Sequence, residues 1–84
     1  MKQWDLFDLS VLSSGCRGND VVKLKQRLQQ LGYFSSTTSF NDVYNDSTIE
    51  RVKQFQMVNG LPATGIADVD TQKRLYSDRA KRKP

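Results

Sequence analysis

Histidine is absent from these 84 residues, Glu50 is the only glutamate, and Cys16 is the only cysteine. Without histidine the chain lacks the commonest general base and the commonest metal ligand. A lone cysteine excludes an internal disulfide. Cys16 lies in Ser14-Gly15-Cys16-Arg17-Gly18 with no imidazole to activate its thiol, and it reads as a small loop residue. The aspartates Asp20, Asp46 and Asp70 could pair for acid–base work, but helix-start roles already account for them. No glycine-rich phosphate loop and no EF-hand spacing occur. Hydrolytic chemistry needs two placed carboxylates, a nucleophile with its base, or a metal set. The chain is therefore expected to be no enzyme, with no cofactor and no metal site.

Long apolar runs are also missing: nothing approaches the roughly 20 residues that span a bilayer. Met1-Lys2 leads into Trp4, Asp5 and Asp8 rather than an apolar stretch, so no signal peptide is visible. The export signal of a secreted protein would lie outside this chain. The length fits one domain with one core. The net charge is +4, yet four of the thirteen basic residues, Arg79, Lys81, Arg82 and Lys83, crowd the last six positions. Nine remain, against nine acidic ones, so the body is neutral. Residues 78–84 read as a basic flexible tail, either solvated or docking on an anionic polymer.

What is present is helical periodicity. Val21, Leu24, Leu28 and Leu31 follow steps of three and four, and Gly32 marks the stop. A second stripe runs Ile49, Val52, Phe55 and Val58 to Asn59-Gly60, with Leu61-Pro62 beyond it. A third, shorter helix is expected over about 69–77, carrying Leu75 and Tyr76. Each start, Gly18-Asn19-Asp20, Asn45-Asp46-Ser47 and Asp68-Val69-Asp70, offers a cap and then an acid in the first turn. Val43 to Thr48 aligns with Ile66 to Thr71 as a weak internal repeat: an aliphatic, a turn, then a helix. Before the first helix, Trp4, Leu6, Phe7, Leu9, Val11 and Leu12 form an apolar arm, either a strap over the bundle or a face for a neighbouring domain. Ser35 to Ser39 reads as the least constrained loop. The fold class is all-α, a small three-helix bundle with an apolar N-terminal arm: residues 1–11 the arm, 12–77 the domain, 78–84 the tail.

Leu12-x-x-Gly15-x-Arg17-Gly18-x-Asp20-Val21-x-x-Leu24-x-x-x-Leu28-x-x-Leu31-Gly32-Tyr33 resembles the opening of the type 1 peptidoglycan-binding domain. Val52-x-x-Phe55-Gln56-x-x-Asn59-Gly60-Leu61 is similar to its middle helix and turn, and Gly65-Ile66, Thr71 and Leu75 to its closing segment. Leu75-Tyr76-Ser77-Asp78-x-Ala80 looks like a repeat boundary of multi-copy members. The resemblance implies a three-helix bacterial binding module for peptidoglycan or muropeptide, extracellular or wall-associated. Its expected companions are a covalently linked hydrolase domain or a sister repeat. On the family pattern Arg17, Tyr44 and Gln56 are the candidate ligand contacts. Tyr44 could equally be core, Gln56 could bond the following turn, and Arg17 could pair with Asp20. Thr48, at a helix start, has a structural explanation. Two departures stand out. Asp42 occupies a position where the family has glycine, which predicts a positive φ, and Arg51 replaces a small residue beside a helix-lined groove.

Two other function classes stay open. One is a spacer or protein-interaction module of the same fold with its ligand site lost, which Asp42 and Arg51 motivate. The other is a small helical nucleic-acid binder using Lys73, Arg74, Arg79 and the tail. The neutral body argues against the latter, so no nucleic-acid partner is expected.

Overall fold

The computed structural model describes residues 10–84, so Trp4, Leu6, Phe7 and Leu9 lie outside the described residues. The apolar steps of three and four become the inner faces of helices α1 (Asn19–Gln30), α2 (Asp46–Val58) and α3 (Val69–Leu75). Helix α1 packs on both of the others. Its Val21, Leu24 and Leu28 meet Val52 and Phe55 of α2 and Leu75 of α3 in one core, with Leu12, Leu31, Tyr33, Tyr44, Ala67 and Tyr76 filled in from the connections. Tyr33 stands edge-on to Phe55 at 5.7 Å between ring centroids. The expected all-α three-helix bundle is the observed fold.

The helix starts follow the expected chemistry in two cases of three. Asn45 Oδ1 accepts from Thr48 N at 3.2 Å, and Asp68 Oδ1 accepts from Thr71 N at 2.8 Å. Each such cap is worth about 1 kcal/mol. Helix α1 starts instead at Gly18, which has no side chain to cap with. Both longer helices close alike: Tyr33 N donates to Leu28 O and Gly32 N to Gln29 O, and Leu61 N and Gly60 N repeat the pattern on Gln56 O and Met57 O. Helix α3 ends at Leu75, short of Ser77, where Arg27 of α1 takes up its free carbonyls. Arg27 Nε donates to Leu75 O at 2.8 Å and Nη2 to Ser77 O at 3.2 Å.

The two internal repeat units share one docking strip. Val43 forms an antiparallel bridge with Arg17, and Ala67 forms one with Leu12. Residues 12–17 are thereby clamped against both pre-helix turns, and Leu12 is buried while Val11 stays exposed. Gln72 Nε2 adds bonds to Ser10 O and Ala67 O.

Two segments expected to be loosely held bond to the body. The basic tail is laid against the body: Lys81 N donates to Asn59 Oδ1 at 2.9 Å, Tyr33 Oη to Lys81 O at 2.8 Å, and Lys83 N to Leu31 O at 2.8 Å. Backbone groups do the docking, which side-chain composition does not reveal. The 35–39 loop is likewise tied, with Gln29 Nε2 donating to Ser35 O and Thr38 O.

Candidate functional site

Tyr44 and Gln56 face inward. Tyr44 is 1% exposed and its hydroxyl donates to Gly65 O at 2.6 Å. Burial raises its phenol well above the ordinary range. Gln56 is equally buried; its Nε2 donates to Ile66 O at 2.9 Å and Thr71 Oγ1 at 3.0 Å, while its Oε1 accepts from Gly65 N at 2.9 Å. The two side chains fasten the 64–67 turn to α2 and α3. Both side chains spend their polar atoms inside the fold. Thr48, fully buried, bonds Asn45 through both its N–H and its hydroxyl, in keeping with the structural role expected of it.

Arg17 alone of the three candidates turns outward, its side chain 71% exposed. It pairs with Asp42 at 3.8 Å rather than with Asp20. Among the described residues no non-glycine has positive φ, so Asp42 carries no such strain. The Asp42 carbonyl accepts from Gly18 N, which positions the carboxylate beside Arg17.

A cleft opens next to this pair, with a volume of about 230 Å³. Its walls are Lys25 of α1, the connection from Phe34 to Asn41, and Asn45, Ser47 and Arg51 around the start of α2. Two half-buried rings form an apolar corner, Phe34 edge-on to Phe40 at 5.1 Å. The Arg51 guanidinium lies 6.0 Å from the centroid of Phe34, a cation–π distance. Arg51 thus forms a wall of the groove.

Lys25 sits at the cleft's inner edge, only 3% exposed. Its ammonium donates to the carbonyl and the side-chain oxygen of Asn41 at 3.2 and 3.1 Å. Burial lowers its pKa, and Asp42 nearby opposes that shift. Asn41 Oδ1 also accepts from Val43 N, so one amide holds the loop, the cation and the approach to α2 together. Sequence reasoning missed this cleft because its parts come from three separated segments. The available signal was the aromatic pair Phe34 and Phe40 flanking a hydroxyl-rich loop opposite Arg51.

Such a concave surface presents aromatic faces, two cations, amides and hydroxyls, and suits a polar ligand with some apolar surface. Among the described residues no cluster of three or more metal-ligating side chains occurs, and no helix is long and apolar enough to cross a membrane.

A family model described as "Putative peptidoglycan binding domain" matches residues 17–75. A spore cortex-lytic enzyme of Bacillus cereus is 31% identical over 75 residues, covering 89% of this chain and 28% of that protein. The spore cortex-lytic enzyme of Oceanobacillus iheyensis is 30% identical over 69 residues, or 82% of this chain and 24% of its own length. The crystal structure of Burkholderia AP3 phage endolysin superposes with a TM-score of 0.75 at 32% identity, over 87% of this chain and 27% of the endolysin chain. The chain spans only about a quarter of each of these proteins.

Proposed function

The chain belongs to the peptidoglycan-binding domain family, and from that premise we propose that it is a non-catalytic wall-anchoring module whose ligand surface is the Lys25–Phe34–Arg51 cleft. The observation that carries this reading is the cleft itself: Phe34, Phe40 and Arg51 stand half-buried around it, and the buried Lys25 closes its inner edge. Its similarity to short stretches of a phage endolysin and of spore cortex-lytic enzymes supports a larger parent protein with a lytic domain, acting at the cell wall after export. Arg17 is a proposed outer contact, since its partner Asp42 directly follows the cleft residue Asn41. Tyr44 and Gln56 contribute as positioning residues that fix the 64–67 turn.

Co-sedimentation with purified peptidoglycan sacculi tests this. The chain should pellet with sacculi, Phe34→Ala and Arg51→Ala should weaken pelleting, and Met57→Ala on the exposed face of α2 should leave it unchanged. Strong, salt-dependent binding to DNA with no pelleting would instead support the nucleic-acid reading. A folded chain that binds neither would support a spacer.

A further inference from the structure

The charge inventory of the cleft is one-sided. Among the described residues its two ionisable lining side chains, Lys25 and Arg51, are both cations, and no described carboxylate lines it. Asp42, whose charge acts on Lys25, is paired with Arg17 at 3.8 Å, the only ion pair among the described residues. Among the described residues Arg51 engages protein through one long bond from Nη1 to Gln54 Oε1 at 3.4 Å and its contact with the Phe34 ring. A guanidinium presents five N–H donors in a fork that matches a carboxylate. The Lys25 ammonium, already stripped of most of its water, is held by the two neutral oxygens of Asn41. Two positive charges in a concave, partly apolar site create a potential that concentrates anions.

Within peptidoglycan the charge is unevenly distributed too. The N-acetylated sugars of the glycan strand are neutral, whereas the peptide stems carry free carboxylates and small apolar side chains. We propose that the cleft selects the carboxylate-bearing stem peptide rather than the glycan strand, with Arg51 forking onto a stem carboxylate and Phe34 and Phe40 covering the adjoining aliphatic groups. This rests on the wall-binding reading and narrows it to one chemical component of the wall. Lys25 supplies a second positive charge at the inner edge, and Ser47 and Asn45 offer hydroxyl and amide partners for peptide groups.

The test titrates the full chain with three probes while following backbone amide resonances: a stem tetrapeptide with free carboxylates, the same peptide with every carboxylate converted to carboxamide, and a neutral N-acetylglucosamine oligomer. The free-acid peptide should shift amides of residues 34–41 and 47–51 and bind at least about tenfold tighter than the amidated form, since charge-assisted bonds are roughly twice as strong as neutral ones. Arg51→Gln should remove that difference. Arg51→Lys, which keeps the charge without the fork, should keep part of it; unchanged thermal unfolding of both would exclude a folding defect. Equal affinity for the acid and amidated peptides, or shifts at the cleft with the sugar oligomer alone, would overturn the stem reading while wall binding stands if the chain still pellets with sacculi. Failure to pellet, with no shift from any probe, would overturn both.

Discussion

Replacing Gln56 with methionine separates a structural role from a ligand contact. Methionine keeps the unbranched shape and most of the volume, so little cavity forms. What disappears is the amide's hydrogen bonding to the turn ahead of α3. Ile66 is exposed, so its carbonyl exchanges Gln56 for water at little cost. Gly65 N and Thr71 Oγ1 belong to buried residues and have no such recourse. Leaving two buried polar groups unsatisfied costs about 1–3 kcal/mol each, or roughly 2–6 kcal/mol in total. A chain of this length has a stability of roughly 4–13 kcal/mol, so the variant loses a large share of it. Urea unfolding followed by helical circular dichroism measures the loss, and Thr71→Val, which removes one partner only, should show a smaller decrement. Under conditions where Gln56→Met stays folded, its pelleting with sacculi should match the parent chain. A loss of stability below about 1 kcal/mol together with abolished pelleting would refute this reasoning and return Gln56 to the ligand surface, because an unsatisfied buried pair cannot cost so little.

Gly65→Ala should destabilise by about 1–3 kcal/mol from backbone strain alone, because its φ is +79° and a Cβ there would come within 2.9 Å of Ile49 Cγ2; a thermal unfolding midpoint equal to the parent's would refute the close approach. Deleting residues 81–84 removes three hydrogen bonds to the body, among them Lys81 N to Asn59 Oδ1, and should lower stability by roughly 1.5–4.5 kcal/mol. A free tail would leave the unfolding curve unmoved. Burial raises the phenols of Tyr33, Tyr44 and Tyr76 above the ordinary 10.0, that of Tyr76 to about 12. The folded state therefore holds these protons more tightly than the unfolded one. Its added stability is complete below pH 10.0 and drains away as pH rises toward 12. Tyrosinate absorbance should accordingly grow in step with loss of helical signal in this window; ionisation near pH 10.0 with the helices intact would contradict the burial of these rings.

The aromatic pair Phe34 and Phe40 and the cations Lys25 and Arg51 illustrate how a cleft escapes sequence reading. Arg51 is legible as an unusual long cation on α2, and its meaning follows only from the ring it covers. Lys25 reads as an ordinary polar position on α1, yet it is buried because Asn41, sixteen residues later, folds over it. For Tyr44 the sequence left two roles open, ligand contact or core, and Gly65, twenty-one residues on, draws its hydroxyl into the core.

By itself the sequence determined the helices, the stops of the two longer ones, two of the three caps and the core face of each. These depend on spacing and on hydrogen bonds within a few residues, so they need no knowledge of distant partners. The tertiary structure alone decided which polar side chains are spent internally, which line a cleft open to solvent, and that the backbone of the basic tail bonds to the body. A polar group's role is fixed by whether its partner is protein or water, and that partner, for Gln56, Lys25 or Lys81, arrives from a remote stretch of chain only once the bundle has closed.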